Sequence, residues 1–282
     1  MDLPVCLDHL SQSYLAYLAG SSWKDFKNSA LFCMTPAIQG IRKSGDKSFP
    51  PPMSKDKVTL ILCNHQSDLD QFIVFTATTF RDNAPVPVQL TGFTHQAFNT
   101  LPMVGQMVGK NLIGLEKGET KASIQRKILD FRHKGFNTFL LFPEGTFLHQ
   151  DSWKKSVEFQ QRKLGLKKEQ CFQKLLYPKF GAYDAFVDLL EDDIEYVIDL
   201  TLDYPEYNPV TSEWSYLTYP SVAYSFLNKQ PAPFLHASTT IVQGQKGILT
   251  HDFLLHLWRK KDQRLQVREK RELEAQYHYL FK

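Results

Sequence analysis

The stretch KVTLILCNHQSDLD, residues 57 to 70, contains the strongest fold signal in the chain. Residues 58 to 63 form a continuous run of apolar and β-branched side chains, which is typical of a strand buried on both faces of a parallel sheet. Polar side chains follow at once, beginning with Asn64 and His65 and including Asp70. The stretch therefore predicts a buried strand that ends in a polar turn.

Similar apolar runs recur along the chain and alternate with segments of helical spacing. The predicted strands cover residues 57–63, 86–93, 137–146, 195–205 and 236–242, and predicted helices cover 70–80 and 121–135. Strands that alternate with helices indicate an α/β fold with a mainly parallel central sheet covered by helices. Functional sites of such sheets form beyond the carboxyl ends of the strands.

The two ends of the chain have a different character. Residues 1–50 carry apolar side chains at helical spacing and end at the FPPPM stretch of residues 49–53, so we predict an N-terminal helical segment. It can be a flap on the core or an amphipathic pair in a lipid interface. Residues 51–282 would form the main domain, and residues 252–281 predict a long, basic C-terminal helix with a solvated face.

Composition excludes several classes of protein. The 282 residues are 43% hydrophobic and 22% charged, as in ordinary globular proteins, and a net charge of +3 is too small to indicate nucleic-acid binding. The four cysteines form no CxxC pair, and the histidines are isolated, so neither a disulfide framework nor a metal site is predicted. The sequence shows no membrane-spanning apolar run of about 18 to 20 residues and no secretory signal.

The spacing of His65 and Asp70 suits acid–base chemistry. An imidazole can accept a proton near neutral pH, and a carboxylate bonded to one ring nitrogen fixes the tautomer and leaves the other nitrogen as the base. Asp70 in the first turn of a helix could fold back to the His65 ring. The alternative is a pair of surface residues that cap a helix.

Two further stretches can bind an anion. In FPEGT, residues 142–146, Gly145 can expose backbone N–H groups, Thr146 can donate its hydroxyl, and Glu144 can anchor the loop or hold a substrate hydroxyl. The glycine-rich stretch of residues 101–121 offers ammonium groups for a phosphate from Lys110, Lys117 and Lys121. Either stretch alone is a weak signal.

Together, NHQSDLD with its NHxxxxD pattern and the later FPEGT resemble the HX4D family of glycerolipid and lysophospholipid acyltransferases. LLYPKFGAYDAFVDLL and YVIDLTLDYPEYNP are similar to segments of the eukaryotic branch that includes lysocardiolipin and lysophosphatidate acyltransferases. This chain departs from the family pattern at Leu115, where we would align an arginine, and in EGTFLHQ, which lacks the arginine that often follows EGT. A lysine such as Lys117 supplies charge without the bidentate geometry of a guanidinium.

The resemblance implies an acyl-CoA co-substrate, a lysophosphatidate or other lysophospholipid acceptor, and no further cofactor or metal. His65 would be the general base and Asp70 would orient it. The remaining substrate-binding positions would be Asn64, Lys110, Lys117, Glu144, Gly145 and Thr146. The same resemblance implies membrane association, on the cytosolic face of the endoplasmic reticulum or another internal membrane. Cys63 is interpreted as a packing residue.

Other functions remain open at this point. A catalytically silent lipid-binding or membrane-scaffold protein could keep the fold. A glycerol-3-phosphate acyltransferase shares the GKNLI-like stretch. In a hydrolase, His65 would activate water in place of a lipid hydroxyl.

Overall fold

The computed structural model describes residues 41–45, 56–66, 70, 74, 90–95, 112–203 and 235–280. They contain a seven-stranded sheet with the strand order β1-β7-β6-β2-β5-β3-β4. The strands are β1 (Ile41–Gly45), β2 (Val58–Cys63), β3 (Leu90–His95), β4 (Leu112–Leu115), β5 (Thr138–Leu141), β6 (Ile194–Asp203) and β7 (Leu235–Gln243).

Strands β2 to β6 run in one direction, whereas β7 is antiparallel to β6 and parallel to β1. The predicted mainly parallel sheet is therefore confirmed. Because β6, β2 and β5 are neighbours, the residues that follow β2 and β5 meet at the same edge, beside the end of β6. This edge positions the site described below.

The helices of the described residues are α1 (Lys121–His133), α2 (Gln150–Leu164), α3 (Gly181–Leu190) and α4 (His251–Leu280). Thr120 begins α1 by accepting a hydrogen bond from the Ser123 backbone N–H. α2 ends at Gly165, whose φ of 67° is the left-handed conformation that glycine adopts easily. None of these helices is both long and apolar enough to cross a membrane.

The main core lies between one face of the sheet and helices α1, α3 and α4. Leu60, Phe139, Ile128 and Phe186 are fully buried there, as is Trp258 of α4. Each such side chain contributes roughly 1.5 to 3 kcal/mol through its removal from water. The ends of β2 and β5 are consequently held in a rigid layer, so the loops that follow them start from fixed points.

The sequence and the structure differ in three places. The end of the segment predicted to be helical forms strand β1, because parallel pairing with β7 outweighs local periodicity. The glycine-rich stretch contains strand β4, which pairs with β3. The predicted C-terminal helix exists as α4 with the expected solvated face, which includes Arg259 and Lys260. The difference lies on its opposite face, where Leu254, Trp258 and Lys261 are fully buried.

The helical prediction for residues 1–40 lies outside the described residues. So does most of the helix predicted at 70–80, within which only Asp70 and Val74 are described, both in helical conformation.

Candidate functional site

The His65 side chain is paired with Asp70 at the carboxyl edge of the sheet. The distance from His65 Nδ1 to Asp70 Oδ2 is 3.0 Å, and the same oxygen accepts a 2.6 Å hydrogen bond from the Gln66 backbone N–H. The Asp70 side chain is 0% exposed and that of His65 is 20% exposed. The contact predicted from the sequence is therefore present, with the acid buried and the imidazole partly open to solvent.

This geometry determines which ring nitrogen can react. An ionised carboxylate only accepts hydrogen bonds, so Nδ1 of a neutral His65 ring carries the hydrogen that faces Asp70. Nε2 then keeps its lone pair, and it makes no hydrogen bond to any described residue. Phe142 stacks on the ring with centroids 4.3 Å apart, and Phe147 approaches it edge-on at 6.0 Å. His65 can thus act as a base from a fixed orientation.

Glu144 holds the FPEGT loop against His65. Its carboxyl group is fully buried and accepts two backbone hydrogen bonds, from His65 N–H at 3.0 Å and from Leu176 N–H at 2.9 Å. The Leu148 N–H in turn donates to the His65 carbonyl at 2.7 Å. Of the two roles that the sequence left open for Glu144, this geometry favours anchoring the loop.

Burial also changes the acidity of Glu144. It raises the pKa of this carboxyl group to about 8, against the opposing effects of the two N–H donors and of the Lys261 ammonium. A protonated carboxyl group retains enough acceptor capacity for both N–H bonds. The anchor therefore persists in either protonation state.

The other predicted substrate-binding residues after β2 and β5 have different surroundings. Both polar atoms of the buried Asn64 amide bond the backbone of Leu202 in β6, each at 2.8 Å. Gly145 has a φ of 67°, and its N–H donates to the Phe142 carbonyl at 3.0 Å, so this N–H is not available to an anion. Thr146 is half-buried, and its hydroxyl makes no hydrogen bond within the described residues.

The two predicted lysines that the structure describes, Lys117 and Lys121, follow β4 and lie apart from His65. Lys117 is exposed in the turn after β4, and β5 and β3 stand between β4 and β2. At about 4.8 Å per strand spacing, β4 and β2 are roughly 14 Å apart. Lys121 forms an ion pair with Asp188. Lys110 lies outside the described residues.

Lys261 of α4 is a functional candidate that the sequence reading missed. Its fully buried ammonium donates to the carbonyls of Leu200 at 2.6 Å and Leu62 at 3.2 Å and lies 2.8 Å from Asp199 Oδ1. It thereby fastens the ends of β2 and β6 together. The helical spacing of Leu254, Trp258 and Lys261 could have shown that this lysine belongs to the buried stripe.

A second contact of α4 supports the segment that carries Leu176. We call residues 171–180, the part of the chain between α2 and α3 that leads directly into α3, the connecting segment. Asp262 accepts hydrogen bonds from the backbone N–H groups of Gln173 and Lys174, at 3.1 and 2.6 Å to its Oδ1. Since Leu176 bonds Glu144, the C-terminal helix contributes indirectly to the placement of the FPEGT loop.

The remaining chemistry at this edge is limited. Burial raises the pKa of the Cys63 thiol well above its usual range, so this side chain stays a neutral thiol and not a nucleophilic thiolate. Within the described ranges, no group of three or more histidine, cysteine or acidic side chains is arranged to hold a metal ion.

The sequence matches no protein-family profile and no curated protein at a significant level. Among solved structures, it is similar to the 1-acyl-sn-glycerophosphate (LPA) acyltransferase PlsC from Thermotoga maritima, with 14% identity and a TM-score of 0.47. The match covers 94% of this chain and 88% of that one. A likeness of this size assigns neither a family nor an activity.

Removal of the Lys261 ammonium is expected to destabilise the protein. In Lys261→Met the buried Asp199 loses its nearest cation and two strand carbonyls lose a donor, so the free energy of unfolding should fall by about 3 kcal/mol. Urea unfolding measures this. The adjacent and exposed Lys260 provides the control, because Lys260→Met should change stability by less than about 0.5 kcal/mol. Equal midpoints for both variants would contradict the role given to Lys261.

Glu144 predicts a specific dependence of stability on pH. Its pKa is about 8 in the folded protein and near the ordinary 4.5 when unfolded, so between these values the folded state binds more protons. Stability should fall as pH rises through this window, by up to about 1.4 kcal/mol per pH unit, and level off above it. Glu144→Gln lacks this group. Urea titrations at several pH values measure the free energy of unfolding, which should fall with pH more steeply for the wild type than for Glu144→Gln. Equal pH dependence of the two proteins would contradict the prediction.

Proposed function

We propose that this protein is an acyl-CoA-dependent O-acyltransferase that transfers a fatty acyl group to the free hydroxyl of lysophosphatidate or another lysophospholipid. The observation that supports it most is the His65 ring beside the FPEGT loop, held by a buried Asp70 and with no described residue bonded to its Nε2. The resemblance of these two motifs to the HX4D acyltransferases gives the reaction class.

In the proposed reaction His65 acts as the general base. Nε2 accepts the proton of the acceptor hydroxyl while the hydroxyl oxygen attacks the thioester carbonyl of acyl-CoA. The carbon–sulfur bond then breaks, and the leaving CoA sulfur receives the proton back from the imidazolium. Asp70 stabilises that imidazolium through Nδ1 and prevents the ring from rotating.

A direct transfer suits the surroundings of His65. The neighbouring Cys63 thiol is buried with a raised pKa, which disfavours an acyl-cysteine intermediate. The aromatic rings of Phe142 and Phe147 give the imidazole an apolar setting in which water competes less with a lipid alcohol. Asn64 and Glu144 would act as supports for the backbone, and Gly145 and Thr146 would face the acceptor.

Both proposed substrates are amphiphiles, so the reaction would take place at a membrane surface. We place it on the cytosolic side of an internal membrane, where acyl-CoA is available. Lys117 would then serve a phosphate group more distant than those next to His65, and Lys110 would be a further phosphate ligand. No metal or additional cofactor enters this proposal.

The test is acyl-CoA turnover with a panel of lysolipids. His65→Ala should lower kcat by about 10²- to 10⁴-fold, because it removes the base, and Asp70→Asn should also lower kcat while leaving KM for acyl-CoA nearly unchanged. His256→Ala provides the control, since this histidine is exposed on α4. Release of CoA is measured together with mass spectrometry of the acylated product.

Full activity of His65→Ala would contradict the proposed base. CoA release without an acylated lipid, undiminished by saturating acceptor, would identify a hydrolase. Binding of lysolipids by the wild type without any turnover would identify a lipid-binding protein instead.

A further inference from the structure

The side chain of Lys179 lies over Gly145 in the FPEGT loop. A Cβ placed on Gly145 would be 3.1 Å from Lys179 Nζ and 3.1 Å from its Cδ, so the absence of a side chain leaves this space to the lysine. Gly145 also has a φ of 67°, which disfavours other residues. The loop and the lysine are therefore in close contact, although 34 positions separate them in the sequence.

The backbone of Lys179 is fixed on the loop. Its N–H donates to the Pro143 carbonyl at 2.7 Å, and three residues earlier the Leu176 N–H bonds Glu144. Between them, the Tyr177 N–H donates to Ser156 Oγ at 2.8 Å. The connecting segment thus holds the backbone of Lys179 against the FPEGT loop, within reach of Gly145 for its side chain.

The ammonium group of Lys179 has no counter-ion in the described part of the chain. The residue is exposed, and its Nζ forms neither an ion pair nor a hydrogen bond with any described residue. Glu144, the nearest acid along the loop, directs both oxygens to backbone N–H groups and is fully buried. Because no described residue accepts a hydrogen bond from this ammonium group, its three N–H donors are available to an anion.

The FPEGT loop has no cation of its own, since Phe147 follows Thr146 directly. The same loop contacts His65 through Glu144 and carries Lys179 at the next residue, Gly145. A phosphate bound to Lys179 would thus lie next to Gly145, which directly follows Glu144, the residue that bonds the backbone of His65. Lys117 follows β4, which is two strand spacings from β5 and three from β2.

We propose that Lys179 binds the phosphate of the acceptor lysolipid and so selects acceptors that carry one. This proposal rests on the proposed function, which makes the lysolipid the acyl acceptor. The contact between Lys179 and a phosphate can be tested separately, by binding alone. The competing explanation is that the apolar stem of Lys179 only covers Gly145. A methionine keeps most of that stem and removes the charge.

The experiment measures binding in a His65→Ala background, where acyl transfer does not consume the ligands. Calorimetry compares lysophosphatidate, a monoacylglycerol without phosphate, and CoA, for Lys179→Met, Lys179→Arg and the control Lys163→Met. Lys163 is exposed in the last turn of α2, at the far end of a helix about 22 Å long. Circular dichroism and urea unfolding establish that every variant is folded.

Lys179→Met is expected to raise the Kd for lysophosphatidate by about 10- to 100-fold, whereas Lys179→Arg and Lys163→Met should change it by less than about threefold. Binding of the monoacylglycerol and of CoA should stay unchanged. The effect should shrink at high salt, because the contact is exposed.

Three results would overturn the assignment: an unchanged Kd for lysophosphatidate in Lys179→Met, equal losses for lysophosphatidate and monoacylglycerol, or a loss confined to CoA. A Lys179-dependent lysophosphatidate site in a protein that shows no acyl transfer would instead refute the proposed function and leave the phosphate contact standing.

Discussion

The buried carboxyl group of Glu144 joins three parts of the chain that are distant in sequence. It follows β5, bonds the backbone of His65 after β2, and bonds Leu176 in the connecting segment. The two N–H groups share this one buried carboxyl group as acceptor, so they cannot move apart without leaving a donor unsatisfied. Each unsatisfied donor costs about 1 to 3 kcal/mol. The position of the imidazole, the path of the FPEGT loop and the placement of Lys179 all depend on this contact.

The C-terminal helix adds a second layer of support behind that contact. Lys261 fastens the ends of β2 and β6, and Asp262 holds the connecting segment. Buried ionic groups of this kind contribute little net stability but are costly to disrupt, so they favour one arrangement of the strand ends over others. We interpret the polar network as support for the placement of the site more than for the stability of the fold.

Several of these features could be predicted from the sequence, and the reasons are physical. The His65–Asp70 contact is local, so the strand end and the helix that follows it determine it. The rule for parallel sheets predicts that the residues after β2 and β5 lie at the same edge, although it does not predict that the two strands are neighbours. Strand β1 could not be predicted, because its short sequence gains its conformation from pairing with β7. The distance of Lys117 from His65 depends on the strand order, which no local pattern encodes.

Lys179 and Lys261 show two different limits of sequence reading. Lys261 continues an apolar helical stripe, so its burial could have been inferred from spacing, although its partners could not. Lys179 reaches Gly145 only through the folded path of the connecting segment, and no spacing predicts that contact. Its position also bears on the arginine that is missing after EGT, because a cation can come to the same loop from another part of the chain.

The central claim is that Asp70 fixes the His65 ring with its hydrogen on Nδ1 and its lone pair on Nε2. Nitrogen-15 NMR of the imidazole measures this directly, with the His65 signals assigned by their loss in His65→Ala. When the ring is neutral, the account predicts a protonated Nδ1 and an unprotonated Nε2, and a shift towards the other tautomer in Asp70→Asn. A ring protonated at Nε2, or a tautomer mixture that Asp70→Asn leaves unchanged, would contradict it.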